Sequence, residues 1–161
     1  MPPVSSYLLR VALCLSLPLT LNAAAICTVT GTGPAFGNYN FLSAAPSVAN
    51  GQLTVSCTRV GRGRSTVAPV WSASAGNSGT AAARHMLSGV NILNYNLYLD
   101  TAYTQIWGDG TGVTRTGGTS MRLRRRNPTQ SVTVPIYGRA PALQNPAAGV
   151  YGDTIVVTIT Y

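Results

Sequence analysis

Hydrophobic and polar positions alternate along this chain in short runs, and the clearest run is the last. Gly149-Val150-Tyr151-Gly152-Asp153 gives a turn signal, and Thr154-Ile155-Val156-Val157-Thr158-Ile159-Thr160-Tyr161 follows. Ile155, Val157, Ile159 and Tyr161 fall on one face; Val156, Thr158 and Thr160 fall on the other. A period of two in β-branched and aromatic residues predicts a half-buried strand. The sequence ends on this strand, so the expectation is an open apolar edge, a template for pairing with another chain.

The same period recurs upstream. Leu53, Val55 and Cys57 alternate with Gln52, Thr54 and Ser56; Leu93, Tyr95, Leu97 and Leu99 alternate with Asn94, Asn96 and Tyr98. Val132, Val134 and Ile136 alternate with Thr133, Pro135 and Tyr137. Pro135 has no N–H to give, which predicts an edge position or a bulge. Asp109-Gly110 is a tight-turn signal. No part of residues 26–161 keeps the i, i+3, i+4 spacing of an amphipathic helix for more than two turns. Seven or more short strands between Gly, Pro, Asn and Ser clusters predict one all-β domain, a β-sandwich of immunoglobulin-like class.

The N-terminus has a different pattern. Arg10 is followed by the apolar run Val11 to Leu21, then by Asn22-Ala23-Ala24-Ala25. A short apolar core followed by small residues is the layout of a secretory signal peptide, and the run is too short to span a membrane. The expected division is a leader over 1–25 and a domain over 26–161, beginning Ile26-Cys27. Cleavage would remove Cys14 and leave Cys27 and Cys57, which in an exported chain predicts one disulfide. Cys27 shares a face with Val29, so such a bridge would join two inward-facing positions. No metal site or cofactor is expected, because two Cys and the single His85 do not make a four-ligand set.

Charge narrows the partners. Every basic residue is Arg, there is no Glu, and the acids are Asp100, Asp109 and Asp153; the formal charge is +8, or +7 once Arg10 leaves. Attraction to lipopolysaccharide, acidic polysaccharide or nucleic acid follows, and export argues against nucleic acid. Arg122-Leu123-Arg124-Arg125-Arg126 is the sharpest cluster. It reads either as an anion-binding patch of Arg122, Arg124, Arg125 and Arg126 or as a solvated loop between strands. Catalysis is not expected: His85 is the only candidate general base and no nucleophile motif lies beside it.

Several short segments occur in an order that resembles a known family. Cys27 precedes Phe36-Gly37-Asn38-Tyr39, and Val55-Ser56-Cys57-Thr58 carries the second cysteine. Arg84-His85-Met86-Leu87-Ser88-Gly89, Tyr95-Asn96-Leu97-Tyr98 and Ile106-Trp107-Gly108-Asp109-Gly110 follow. Val134-Pro135-Ile136-Tyr137-Gly138-Arg139 and Gly149 to Thr158 complete the series. Together they resemble the spore coat protein U-like domain, the fold family of archaic chaperone–usher pilus subunits. The resemblance implies an incomplete immunoglobulin-like β-sandwich lacking its final strand. A periplasmic pilus chaperone, and then a neighbouring subunit's donor strand at the outer-membrane usher, would fill the gap. Val29, Ile155, Val157, Ile159 and Tyr161 would line the acceptor groove. Cleavage after Ala25 leaves Ile26 alone before Cys27, too short for a donor strand. The expectation is therefore an acceptor-only, tip-like subunit, exported through the periplasm to the cell surface. The alternative is a stand-alone coat or cell-surface protein that binds an anionic glycan through its Arg cluster.

Overall fold

The computed structural model describes residues 25–61 and 65–161. The leader predicted for 1–25 lies outside the described residues, except for Ala25, which opens the first strand. Among the described residues there are eleven strands and one short 3-10 turn, Gly76–Ser78.

A four-stranded antiparallel sheet holds β1 (Ala25–Thr32), β2 (Ser47–Arg59), β10 (Thr129–Ala140) and β7 (Asn96–Tyr98), in the order β1-β2-β10-β7. A second sheet has the order β11-β4-β8, from β11 (Val157–Thr160), β4 (Val70–Ala73) and β8 (Gly117–Gly118). Two two-stranded sheets complete the set: β3 (Ser65–Val67) with β9 (Met121–Leu123), and the hairpin of β5 (His85–Ser88) with β6 (Asn91–Asn94). The inward residues of these sheets meet in one core, including Leu53, Val55 and Cys57 from β2, Trp71 and Ala73 from β4, and Ile136 from β10. The chain is an all-β, immunoglobulin-like sandwich.

Local chemistry explains the strand positions. Cys27 and Cys57 are register partners on adjacent strands and form a disulfide. It closes a separation of 30 residues, which in the chain-entropy treatment contributes about 3–4 kcal/mol. The Trp71 indole packs against Gly117, where any Cβ would collide with its Nε1 side, so β4 and β8 approach closely only because that residue is glycine. Asp109 closes its turn by accepting hydrogen bonds from the Thr111 amide and the Thr111 hydroxyl, with Gly110 at φ 88°.

Three details differ from the sequence reading. The 93–99 run falls in two strands, because it changes partner at Tyr95: β6 pairs with β5, and β7 pairs with β10. Pro135 lies in a strand with neighbours on both sides, yet β7 covers only Tyr137–Arg139. At Pro135 itself β10 pairs with β2 alone, so the missing N–H is tolerated. The last strand is shorter than its alternation: β11 begins at Val157 because Ser74 replaces the ladder before it. The Ser74 amide donates to the Val156 carbonyl and the Ser74 hydroxyl accepts from the Val156 amide, both at 2.9 Å.

Candidate functional site

β1 is an edge of the first sheet and β11 an edge of the second, and β1 together with the segment leading into β11 flanks an open cleft of about 670 Å³. Among the described residues β1 pairs only with β2, and β11 only with β4. One wall is β1 with its continuation, Val29 to Pro34; the other is Tyr151 to Ile155 with Val157. The floor is core: Leu53, Met86, Tyr95, Leu97, Trp107 and Ile136. The cleft therefore has apolar core at its base.

Alternation puts the apolar side chains of the second wall inward. Ile155, Val157 and Ile159 are half-buried against the core, whereas Val156 is exposed. The cleft brings together Val29, Ile155 and Val157. Ile159 packs against the core beyond the cleft lining, and Tyr161 is 54 % exposed at the strand's end.

Polar groups fix this second wall in place. The Tyr95 hydroxyl, rising from the floor, donates to Asp153 Oδ2 at 2.7 Å. Asp153 Oδ1 accepts from the amides of Asn77 and Thr154, each at 2.8 Å. Burial raises the Tyr95 pKa well above its ordinary value, and the hydrogen bond to Asp153 and its negative charge add to the rise. The phenol therefore stays a donor. Leu87 and Gly152 exchange two backbone hydrogen bonds, pinning the same segment to β5.

Beneath the floor lies a buried cation that charge and spacing did not single out. Arg84 is 1 % exposed. Its guanidinium donates to the carbonyls of Ser74 (2.6 Å) and Trp107 (2.7 Å) and to Asn96 Oδ1 (2.9 Å), with longer contacts to Ala81 and Ala73. Burial lowers its pKa, offset by Tyr95, Asp153 and Asp109. Asn96, which alternation puts on the polar face, is buried because its amide completes this network and donates to the Ala82 carbonyl. One side chain thus ties the end of β4, the start of β7 and the Trp107 segment together under the cleft.

The predicted anion patch lies elsewhere. Arg122 is in β9, and Arg124 and Asn127 form a tight backbone bridge after it. Arg122, Arg124 and Arg126 line one open concavity with Asn127 and Gln130, and Arg125 is outside that lining. His85, in β5, faces Asn94 across the hairpin. Among the described residues no three His, Cys, Asp or Glu side chains cluster as a metal site. Among those residues, too, no helix is long and apolar enough to cross a membrane.

The fold defines a class: an all-β, immunoglobulin-like sandwich with an open cleft over its core. Comparison with known proteins gives the family. The profile of the Spore Coat Protein U domain matches residues 14–158. Protein U of Myxococcus xanthus is 30 % identical over 152 residues, covering 87 % of this chain and 80 % of that protein. The chain belongs to the Spore Coat Protein U domain family. In architecture it is similar to a chain in the crystal structure of the CsuC–CsuE chaperone–tip adhesion subunit pre-assembly complex, from archaic chaperone-usher Csu pili of Acinetobacter baumannii. The TM-score is 0.54 at 18 % identity, over 85 % of this chain. This chain spans 40 % of the length of that one.

Proposed function

We propose that the cleft accepts a β-strand from another chain, and that the protein is an exported structural or adhesive subunit of the chaperone–usher pilus type. The observation that carries the reading is the pair of facing walls, residues 29–34 at the open edge of β1 and residues 151–157 leading into β11, which stand apart over apolar core. An inserted strand satisfies backbone groups on both sides while its alternate side chains fill the floor between Leu53, Leu97 and Ile136. A small-molecule pocket would instead present a few convergent polar groups; here the cleft's Tyr95 and Asp153 side chains are engaged with each other. In this reading the sandwich lacks its final strand, and Val29, Ile155, Val157, Ile159 and Tyr161 belong to the acceptor face. A periplasmic chaperone supplies the strand first and a neighbouring subunit at the usher replaces it, on the way to the cell surface. The work is assembly and attachment, with no catalysis.

The finer proposal concerns polarity. Processing after Ala25 leaves one residue before Cys27, and Cys27 is already tied to Cys57 inside β1. A subunit so processed receives a strand and donates none, which suits the end of a fibre. The test is to export the full chain with and without a pilus chaperone, then to sequence the N-terminus of the product. Stable accumulation only with the chaperone, and a start at Ile26, are expected. Equal accumulation of a cooperatively melting monomer without the chaperone overturns strand acceptance. A start ten or more residues before Ala25 overturns the acceptor-only role alone.

A further inference from the structure

The hairpin that joins β9 to β10 carries a second surface, away from the cleft. Met121 and Leu123 point into the core, at 6 % and 0 % exposure, and hold β9 in one register. Pairing of β3 with β9 sets Thr66 opposite Arg122. Arg122 and Arg124 therefore project to the outer face about 6.6 Å apart, two strand residues along. The bridge between Arg124 and Asn127 turns the chain so that Arg126 faces the same hollow. Asn127 and Gln130 complete its lining.

Among the described residues no carboxylate side chain neutralises these charges. The chain has three carboxylate side chains, and each is engaged elsewhere. Asp100 accepts from Thr104 and Gln105, Asp109 from Thr111 and Thr114, and Asp153 from Tyr95 and Asn77. Among the described residues the guanidinium groups of Arg122, Arg124 and Arg126 make no side-chain hydrogen bond or ion pair. Three forked donors on one pinned face repel one another, and an anionic ligand relieves that repulsion. The surface is also remote from the cleft. It sits at the end of the β2–β10 pairing, where Thr58 faces Thr129, whereas the cleft runs beside Leu53 and Gln52 in the middle of that pairing, about 17 Å further along at strand rise.

We propose that the Arg122/Arg124/Arg126 hollow binds an anionic glycan, a polysaccharide carrying carboxylate or sulfate groups. The Asn127 and Gln130 amides supply donors and acceptors for sugar hydroxyls between the charges. Single-stranded nucleic acid is disfavoured because its binding sites pair basic grooves with aromatic stacking platforms, and no aromatic residue lines this hollow. The proposal is independent of strand acceptance.

The test uses the full exported chain and measures binding to a heparin fragment (sulfated), to polygalacturonate (carboxylated) and to single-stranded DNA of matched charge. Binding to at least one acidic glycan is expected, and which glycan binds identifies the anionic group. The affinity should weaken about tenfold as salt rises towards 1 M and the screening length falls to about 3 Å. Exposed ion pairs each change affinity about two- to fivefold. Replacing Arg122, Arg124 and Arg126 together by Ser should thus cost about tenfold or more. Arg125→Ser, in the same hairpin but outside the hollow, should cost less than about twofold. Absence of glycan binding, DNA binding at least as tight as either glycan, or equal losses for Arg124→Ser and Arg125→Ser would overturn the proposal.

Discussion

Replacing Arg84 by Met removes a buried cation while keeping most of its volume. Two opposing effects decide the outcome. Loss of the charge relieves desolvation, which amounts to several kcal/mol for an ion in a protein interior. Against that, the Ser74, Trp107 and Ala81 carbonyls lose their guanidinium donors at 2.6, 2.7 and 3.2 Å, while Asn96 Oδ1 keeps the Leu97 amide. A buried acceptor left without a donor costs about 1–3 kcal/mol, so three such acceptors outweigh the relief. The expected net loss is about 2–4 kcal/mol. The acceptors are main-chain carbonyls, two of them fixed at the end of β4 and after β7, and they cannot turn away to find other donors. Urea unfolding followed by tryptophan fluorescence reads the effect directly, since Trp71 and Trp107 are 3 % and 1 % exposed and the Trp107 carbonyl is itself one of the acceptors. The measurement is made on the domain with its cleft filled by a donor peptide, so that unfolding is reversible. Arg84→Lys, which keeps the charge but reaches fewer acceptors, should lie between wild type and Met. A change of less than about 1 kcal/mol for Arg84→Met, or a gain in stability, refutes the reasoning.

Other substitutions separate the remaining parts of the structure. Gly117→Ala sets a Cβ against the Trp71 indole and should destabilise by about 1–3 kcal/mol in the same titration. Tyr95 has a pKa raised by folding, so its contribution is complete below the unfolded value of 10.0 and is lost as pH rises through that value towards the folded one. Stability should therefore fall above about pH 10, and Tyr95→Phe should flatten that alkaline limb. Asp109 is the opposite case: hydrogen bonds from the Thr111 side chain and amide hold its pKa below 3.8. Its contribution is present above that pH and lost as pH falls through the folded value, and Asp109→Asn should reduce the acid-side loss. Ile155→Arg, which puts a charge on the cleft wall, should weaken binding of an alternating apolar donor peptide at least about tenfold by calorimetry.

The strand alternation, the cysteine pair and the apolar face of the last strand were legible in the sequence because each is a local pattern. Ile155, Val157 and Ile159 face the core as their period of two requires. The cleft was legible only in outline: the edge at β11 follows from sequence, but the opposite wall depends on β1 pairing with β2 alone. Arg84 left no such signal. Its main-chain partners at 74, 81 and 107 are carbonyls, which every residue carries, so no residue type announces them. Asn96 was concealed for the same reason, since alternation assigns it outward and only the buried guanidinium draws it in. The basic run was seen as charge, while its division into Arg122, Arg124 and Arg126 on the hollow and Arg125 off it came from the hairpin's bridge.

Hydrogen–deuterium exchange along both cleft edges tests the central claim most directly. The exported domain is compared alone and with a donor peptide of about ten residues with alternating apolar side chains. Strand acceptance predicts new protection in both walls of the cleft, residues 29–34 and 151–157, with little change at the β2–β10 pairing in the middle of the first sheet. Protection of only one wall, or walls already protected in the free domain and unchanged by the peptide, would contradict it.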